Sequence, residues 1–140
     1  MIDSDEILNN FNGEAPIFPL PNFVMFPKTA YSFNIFEDRY KELISDILDQ
    51  DRFFCTALIK KDDKSEYSDS SEFYDLGTLC YIIEHKKLKN GNYNIIASGL
   101  KKVKINEKHT QKLYKVGALD IINDNDFVNK EELKRKKLIN

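Results

Sequence analysis

Apolar side chains follow a helical period in one clear segment, DRYKELISDILDQ, which covers residues 38–50. Positions i, i+3, i+4, i+7 and i+8 are apolar, so they form one stripe on one face of a helix. The stripe consists of Tyr40, Leu43, Ile44, Ile47 and Leu48. Glu37 and Asp38 stand at its start, where negative charge suits the helix dipole, and we expect Glu37 to cap the helix. The segment predicts an amphipathic helix packed on the rest of the molecule.

Shorter apolar and alternating runs predict strands along most of the remaining chain. They are IFPL at 17–20, FVMFP at 23–27, and residues 30–36, 53–61, 76–88, 92–105 and 114–122. The pair Asn90-Gly91 is typical of a type I′ hairpin turn, in which both positions have positive φ. Gly99 interrupts the following strand and predicts a bulge or bend. Because no β-α-β alternation occurs, these elements favour a small barrel-like α+β domain with a mainly antiparallel sheet.

Polar segments without periodicity mark the boundaries of this domain. Residues 1–14 predict a loose leader, residues 15–123 the folded domain, and residues 124–140 the start of a C-terminal helix. Residues 62–75 carry six carboxylates but lack the Asp-x-Asp-x-Asp-Gly spacing of a calcium loop. A solvated acidic loop is therefore expected there.

Composition and length agree with a single globular domain. The chain has 140 residues, of which 41% are hydrophobic and 31% charged, and its net charge is −2. No apolar run is long enough to span a bilayer. The acidic N-terminus is unlike a signal peptide, so the cytoplasm is the expected compartment. Cys55 and Cys80 lie in apolar strand-like runs and are expected to be free core thiols.

Residue patterns that carry catalysis are missing from the sequence. The five glycines are too scattered to build a phosphate-binding loop, and no Gly-x-Ser-x-Gly elbow occurs. His85 and His109 are the only histidines, and neither has a second ligand at metal spacing. We therefore expect no enzyme activity, no metal and no cofactor.

The run PIFPLPNFVMFPKTAYSFNIFEDRYKELI, residues 16–44, resembles the N-terminal signature of the Lon-protease N-terminal (LON substrate-binding) domain family, and best its stand-alone bacterial members. The similarity continues through RFFCTALI and YDLGTLCYIIEHKKLKNGNYNIIASGLKKVKI, so it covers nearly the whole chain. Lys28, Asn34 and Asp38 depart from the family pattern, which often has Gly, His and Pro there. The resemblance implies a PUA-like twisted β-pseudobarrel with one helix packed across it. It also implies recognition of unfolded or exposed polypeptides, in the context of a protease or ATPase partner.

The proline-rich start of this run offers a surface for such a role. Prolines cannot donate to a strand ladder, and aromatic rings beside an unpaired edge can accept an extended apolar peptide. We expect Phe18, Leu20 and Phe26 to turn inward, and Phe36 and Tyr40 to anchor the helix. Arg39 is expected to pair with a carboxylate or with backbone carbonyls. The candidate peptide-binding residues are Phe23, Met25, Phe26, Asn34, Phe36, Glu37 and Arg39.

RNA binding is the alternative hypothesis, because PUA-like barrels include RNA binders. Residues 85–115 carry nine lysines against one acidic residue, and a basic patch is the electrostatic footprint of nucleic-acid binding. The candidates are Lys86, Lys87, Lys89, Lys101, Lys102, Lys104 and Lys108. Residues 1–75, however, carry sixteen acidic against seven basic residues, and only Tyr93 is available in the hairpin for base stacking. A third hypothesis is a helper subunit that docks a larger partner through the C-terminal helix.

Overall fold

The computed structural model describes residues 3–60 and 72–123. Within these ranges it contains two helices and six strands. The helices are α1 (Ser4–Leu8) and α2 (Asp38–Leu48), and the strands are β1 (Glu14–Leu20), β2 (Ala30–Ile35), β3 (Phe53–Ile59), β4 (Phe73–Lys87), β5 (Tyr93–Lys108) and β6 (Val116–Ile122). The helix predicted at 124–140 and most of the loop predicted at 62–75 lie outside the described residues.

Five strands close into a ring in the order β1-β3-β4-β5-β6, and β6 returns to β1. Neighbouring strands are antiparallel except β1 and β3, which run parallel. The sheet can close because β5 is long, so that the two halves of one of its edges pair with different strands. Residues 93–98 pair with β2, and residues 102–108 pair with β6. The result is the mainly antiparallel, barrel-like sheet that the sequence predicts.

Strand β2 lies outside this ring and extends it on one side. All six of its residues pair with β5, and the pairings of the described residues give its second edge no strand neighbour. Tyr31, Phe33 and Ile35 face the core, whereas Ser32 and Asn34 are exposed, as the alternation in the sequence predicts. β2 is therefore an edge strand whose inner face is anchored and whose outer edge is open.

Two apolar cores hold these elements together. The first belongs to the ring and contains Ile17, Phe53, Leu79 and Val103 among others. The second lies between the sheet and α2, where the predicted helical stripe packs against neighbours that include Phe54, Ile82 and Ile95. Strand β3 is buried on both faces because its side chains alternate between the two cores. The helix is thus fixed across the sheet by the stripe that identified it.

The beginning of the chain differs from the loose leader that the sequence predicts. Asp3 caps α1 by accepting hydrogen bonds from two backbone N–H groups of the first turn, at 3.1 and 3.3 Å. Three apolar side chains then pack on the ring core: Ile7, Leu8 and Phe11. The Phe11 ring meets that of Phe53 edge to face at 5.3 Å. This burial stabilises a helix of five residues that would not persist alone.

The segment between β1 and β2, residues 21–29, is irregular and forms no strand. Met25 is only 1% exposed, whereas Phe26 is 57% exposed, so the prediction that Phe26 turns inward is wrong. The hydroxyl of Thr78 donates to the Met25 carbonyl at 2.8 Å and fixes the backbone there. Pro21 and Pro27 break the ladder on both sides, so strand alternation does not apply to the residues between them.

The hairpin between β4 and β5 is confirmed, but its turn is not type I′. Gly91 alone of the Asn90-Gly91 pair has positive φ, at +90°. The Gly91 N–H donates to the Leu88 carbonyl at 3.0 Å, and the Leu88 N–H donates to the Asn92 carbonyl at 2.8 Å. The strands are joined by a longer turn that ends in a left-handed glycine, because the ladder stops one residue earlier than a two-residue turn requires.

Candidate functional site

A groove of about 260 Å³ opens where the C-terminal ends of β1 and β2 meet the start of α2. Its walls come from Phe18, Pro19 and Pro21 on one side, Asn34, Phe36 and Glu37 on the other, and Tyr40 from the helix. Of the described residues that line it, Glu37 alone is charged. Phe36 is 62% exposed at the rim. A recess of this kind suits an apolar side chain with few polar constraints.

Backbone pairing explains why the groove is open. On the edge of β1 that faces this groove, only residues 14–16 pair with β6, and the Ile17 N–H donates to the Lys115 carbonyl at 2.8 Å. Beyond that point Pro19 and Pro21 follow, and neither has a backbone N–H to offer. β2 has no strand neighbour on its outer edge among the described residues. An extended chain entering here would therefore meet proline rings on one wall and an open strand edge on the other.

A cluster of aromatic rings supports the floor of the groove. Phe18 stacks on Tyr40 at 4.6 Å and contacts Phe33 at 5.7 Å. Phe33 also contacts Phe23 at 6.2 Å, and Phe23 meets Tyr31 edge to face at 4.9 Å. Ring pairs at these separations add stabilisation beyond burial alone. The floor is consequently a packed unit rather than a set of independent side chains.

Glu37 and Arg39 form an ion pair at the end of the groove. The Nε and Nη2 atoms of Arg39 both lie 3.2 Å from the same Glu37 oxygen. The Arg39 guanidinium also lies 4.7 Å from the centre of the Tyr40 ring. Glu37 occupies the N-cap position of α2, but its side chain makes no capping hydrogen bond. The predicted carboxylate partner of Arg39 is found, and the predicted cap is wrong because the guanidinium engages the carboxylate instead.

The structure separates the seven residues proposed from the sequence. Asn34, Phe36 and Glu37 line the groove, and Arg39 borders it. Phe23 lies behind the floor and Met25 is buried in the core between sheet and helix. Phe26 lies at the opposite end of β2. Its carbonyl approaches Gly99, and Ser98, which precedes Gly99, pairs with Ala30 at the start of β2.

Two further points of the sequence interpretation change. Phe36 does not anchor α2, since most of its ring is exposed, whereas Tyr40 is buried as expected. Phe18, Pro19 and Pro21 line the groove but were not proposed as binding residues. A signal for them existed, because prolines confined to a strand edge imply a place where no neighbouring strand can pair.

The lysines proposed for RNA binding do not form one patch. Lys86 lies near the hairpin tip, opposite Asn94, whereas Lys102 and Lys104 lie on the half of β5 that pairs with β6. Asn94 and Lys102 are eight residues apart on one strand, which corresponds to roughly 26 Å. Lys108 is paired with Glu14. Within residues 3–60 and 72–123, these lysines therefore give no continuous basic track for a phosphate backbone.

The two cysteines are free and buried. Burial raises the pKa of both thiols, that of Cys80 to about 12, so neither is a nucleophile at neutral pH. Among residues 3–60 and 72–123, no group of three His, Cys, Asp or Glu side chains is placed to hold a metal. No helix in the same ranges is long and apolar enough to cross a membrane.

Sequence comparisons identify what this chain is similar to. The family model described as the ATP-dependent protease La (LON) substrate-binding domain matches residues 14–139. The Lon protease of Orientia tsutsugamushi is 29% identical over 136 residues, which cover 94% of this chain and 17% of that protein. Lon protease 2 of Sorangium cellulosum is 25% identical over 91 residues, covering 65% and 11%. The chain spans less than a fifth of the length of these relatives.

Solved structures confirm the predicted fold. A Lon N-terminal domain protein from Xanthomonas campestris has a TM-score of 0.60 at 19% identity, covering 89% of this chain and 73% of that one. The N-terminal domain of the Lon protease of the Mycobacterium avium complex also has a TM-score of 0.60, at 10% identity, with coverages of 79% and 55%. At these identities the likeness concerns the fold alone.

Proposed function

The chain belongs to the LON substrate-binding domain family, and on that basis we propose that it is a non-catalytic module that recognises unfolded or exposed polypeptide segments. In this proposal it acts as an adaptor that presents such segments to a protease or ATPase partner. The family match extends over most of the chain, and the relatives that it resembles are named as Lon proteases. The description of the matched family model names substrate binding, which supports a recognition role without catalysis.

The observation that carries the proposal is the apolar groove between β1 and β2. It combines an exposed aromatic ring, Phe36, with proline walls and a single paired carboxylate. Apolar side chains are what an unfolded chain exposes and a folded one hides. A recess that accepts such a side chain without demanding a particular polar partner would discriminate folding state rather than sequence.

The open edge of β2 supplies the second half of the recognition. Extended peptides bind many domains by adding a strand to an exposed edge, where backbone hydrogen bonds give affinity and pockets for alternate side chains give selectivity. β2 is anchored through Tyr31, Phe33 and Ile35, so its edge would not need to rearrange. We expect a bound segment to run along β2 with one apolar side chain in the groove.

A fluorescence-anisotropy titration tests this function. The protein is titrated into a labelled, permanently unfolded polypeptide at low and high salt, with single-stranded RNA as competitor. We expect weak, saturable binding that changes little with salt, because the contacts are apolar, and that RNA does not displace. Absence of binding at high micromolar protein would contradict the proposal. Binding of RNA alone, lost steeply with salt, would identify a nucleic-acid protein instead.

A further inference from the structure

A second cavity, of about 230 Å³, adjoins the groove. Pro19 and Tyr40 line both recesses, so the two lie side by side. The cavity is walled by β1, the start of α2, the end of β5 and residues 109–115. One extended ligand of a few residues can therefore occupy both.

The charge of the two recesses differs sharply. Among the described residues, the groove has one charged lining residue, Glu37, whereas the cavity is lined by four cations, Arg39, Lys108, Lys112 and Lys115, and by one carboxylate, Glu107. Each lysine already has a carboxylate partner in this protein, in a contact that is at least partly exposed, and Lys115 also lies 5.1 Å from the centre of the Phe73 ring. These are Lys112 with Asp46 at 3.6 Å, Lys115 with Glu107 at 3.5 Å, and Lys108 with Glu14.

Such exposed ion pairs are weak, typically about 0.2–1 kcal/mol, and an ammonium has three donors. An incoming carboxylate can therefore share or replace the present partner at little cost. Because three separate lysines line the cavity, it can satisfy more than one carboxylate at a time.

From this juxtaposition we propose that the domain prefers polypeptide segments in which an apolar residue is followed or preceded within a few residues by acidic side chains. The apolar residue occupies the groove, and the Asp or Glu side chains occupy the basic cavity. This preference rests on the proposed polypeptide recognition and adds a chemical class to it. A phosphate backbone fits less well, since the groove that adjoins the cavity offers it no cation among the described lining residues.

Paired peptides test the preference. One peptide contains a phenylalanine and two nearby Asp or Glu residues, and its counterpart has Asn and Gln at those positions. Both are acetylated and amidated, so that no terminal charge contributes. We expect the acidic peptide to bind about three- to tenfold more tightly at low salt, and the difference to shrink at high salt because exposed charges are screened.

Two double variants locate the effect. Lys108→Gln with Lys112→Gln should remove most of the advantage of the acidic peptide and leave the affinity of the neutral peptide unchanged. Lys86→Gln with Lys89→Gln carries the same change of charge near the hairpin tip, far from the cavity along β5, and should leave both affinities unchanged. Urea midpoints of both double variants that equal the wild-type midpoint verify that neither result reflects unfolding.

The outcomes separate the two proposals. If the neutral peptide binds and the acidic peptide binds no better, the acidic preference is wrong and polypeptide recognition stands. If neither peptide binds, both are wrong. Equal losses in the two double variants, or RNA that binds through Lys108 and Lys112 more tightly than the acidic peptide, would also overturn the preference.

Discussion

The ring of Tyr40 is where the two recesses of the molecule meet. It projects from α2 into the core between helix and sheet and stacks on Phe18 at 4.6 Å. The Arg39 guanidinium lies 4.7 Å from the centre of the ring. Arg39 in turn holds Glu37 at the rim of the groove. One side chain of the helical stripe thus links the packing of α2 to the geometry of both recesses, so core substitutions at this position would also change the surface.

Buried thiol and phenol groups should make the folded domain less stable at high pH. Burial raises the pKa of Cys55 and Cys80, and burial with the hydrogen bond to Asp46 raises the pKa of Tyr114. The unfolded chain releases the protons of these groups at lower pH than the folded chain does. The free energy of unfolding should therefore decrease as pH rises above about 8.5, the ordinary pKa of a thiol, and decrease further above about 10, that of a phenol.

Urea denaturation at a series of pH values measures this dependence. The double variant Cys55→Ala with Cys80→Ala should be less stable at neutral pH, because it leaves cavities, but should show a flatter decline just above pH 8.5. Tyr114→Phe should flatten the decline at higher pH. Identical slopes for the wild type and both variants would contradict the assigned pKa shifts.

Single-residue outcomes show where sequence patterns suffice. The buried thiols and the helical stripe were predictable because each lies in a regular element whose period fixes the direction of the side chain. Met25 and Phe26 were not, since the proline-flanked segment that carries them has no period. The sequence correctly places Glu37 at the N-cap position of α2. It does not show that the Glu37 carboxylate accepts a hydrogen bond from Arg39 and leaves the helix uncapped.

At the scale of elements, the irregular segment 25–29 is strapped across β5 at Gly99. The Lys28 N–H donates to the Gly99 carbonyl and the Gly99 N–H donates to the Thr29 carbonyl, both at 2.8 Å. A shift of register between Leu79 and Cys80 marks the bulge predicted beside this glycine. The strap fixes the start of β2, and therefore the open edge that borders the groove.

The close approach at Gly99 predicts a large effect of one methyl group. A Cβ at this position would lie 2.4 Å from the Phe26 carbonyl oxygen, so Gly99→Ala must displace the strap. We expect a loss of about 1–3 kcal/mol of unfolding free energy, measured by urea denaturation. Asn94→Ala, on an exposed site of the same strand, is the control and should change stability little. A Gly99→Ala variant as stable as the control would contradict the assigned contact.

Elements were predictable in proportion to their local signals. α2 and the β4–β5 hairpin have a strong period and a turn signal, and both are confirmed. The first residues of β4, Phe73 to Asp75, belong to the segment whose sequence predicts an acidic loop. They form a strand because they pair with β3, as Phe73 does with Ile59. α1 depends on docking against the ring core, although the capping residue Asp3 was a usable signal.

At the scale of the molecule, the groove follows from how the sheet closes. One edge of β5 pairs first with β2 and then with β6, and β6 in turn pairs with only the first residues of β1. Among the described residues, one edge at the end of β1 and the outer edge of β2 are therefore left without a strand neighbour, and the groove lies between them. The parallel pairing of β1 with β3 and the closure by β6 are long-range contacts with no local signature. The resemblance to a family predicted a pseudobarrel but neither of these pairings, and periodicity alone predicted only a mainly antiparallel barrel.

The most direct test of the account compares two exposed phenylalanines at opposite ends of β2. Phe36 lines the groove and Phe26 does not, and they are 62% and 57% exposed, so neither Phe36→Ser nor Phe26→Ser should unfold the domain. In anisotropy titrations with a labelled unfolded polypeptide, we predict that Phe36→Ser weakens binding by about tenfold and that Phe26→Ser leaves it unchanged. Equal losses in the two variants, or wild-type affinity in Phe36→Ser, would contradict the assignment of polypeptide recognition to this groove.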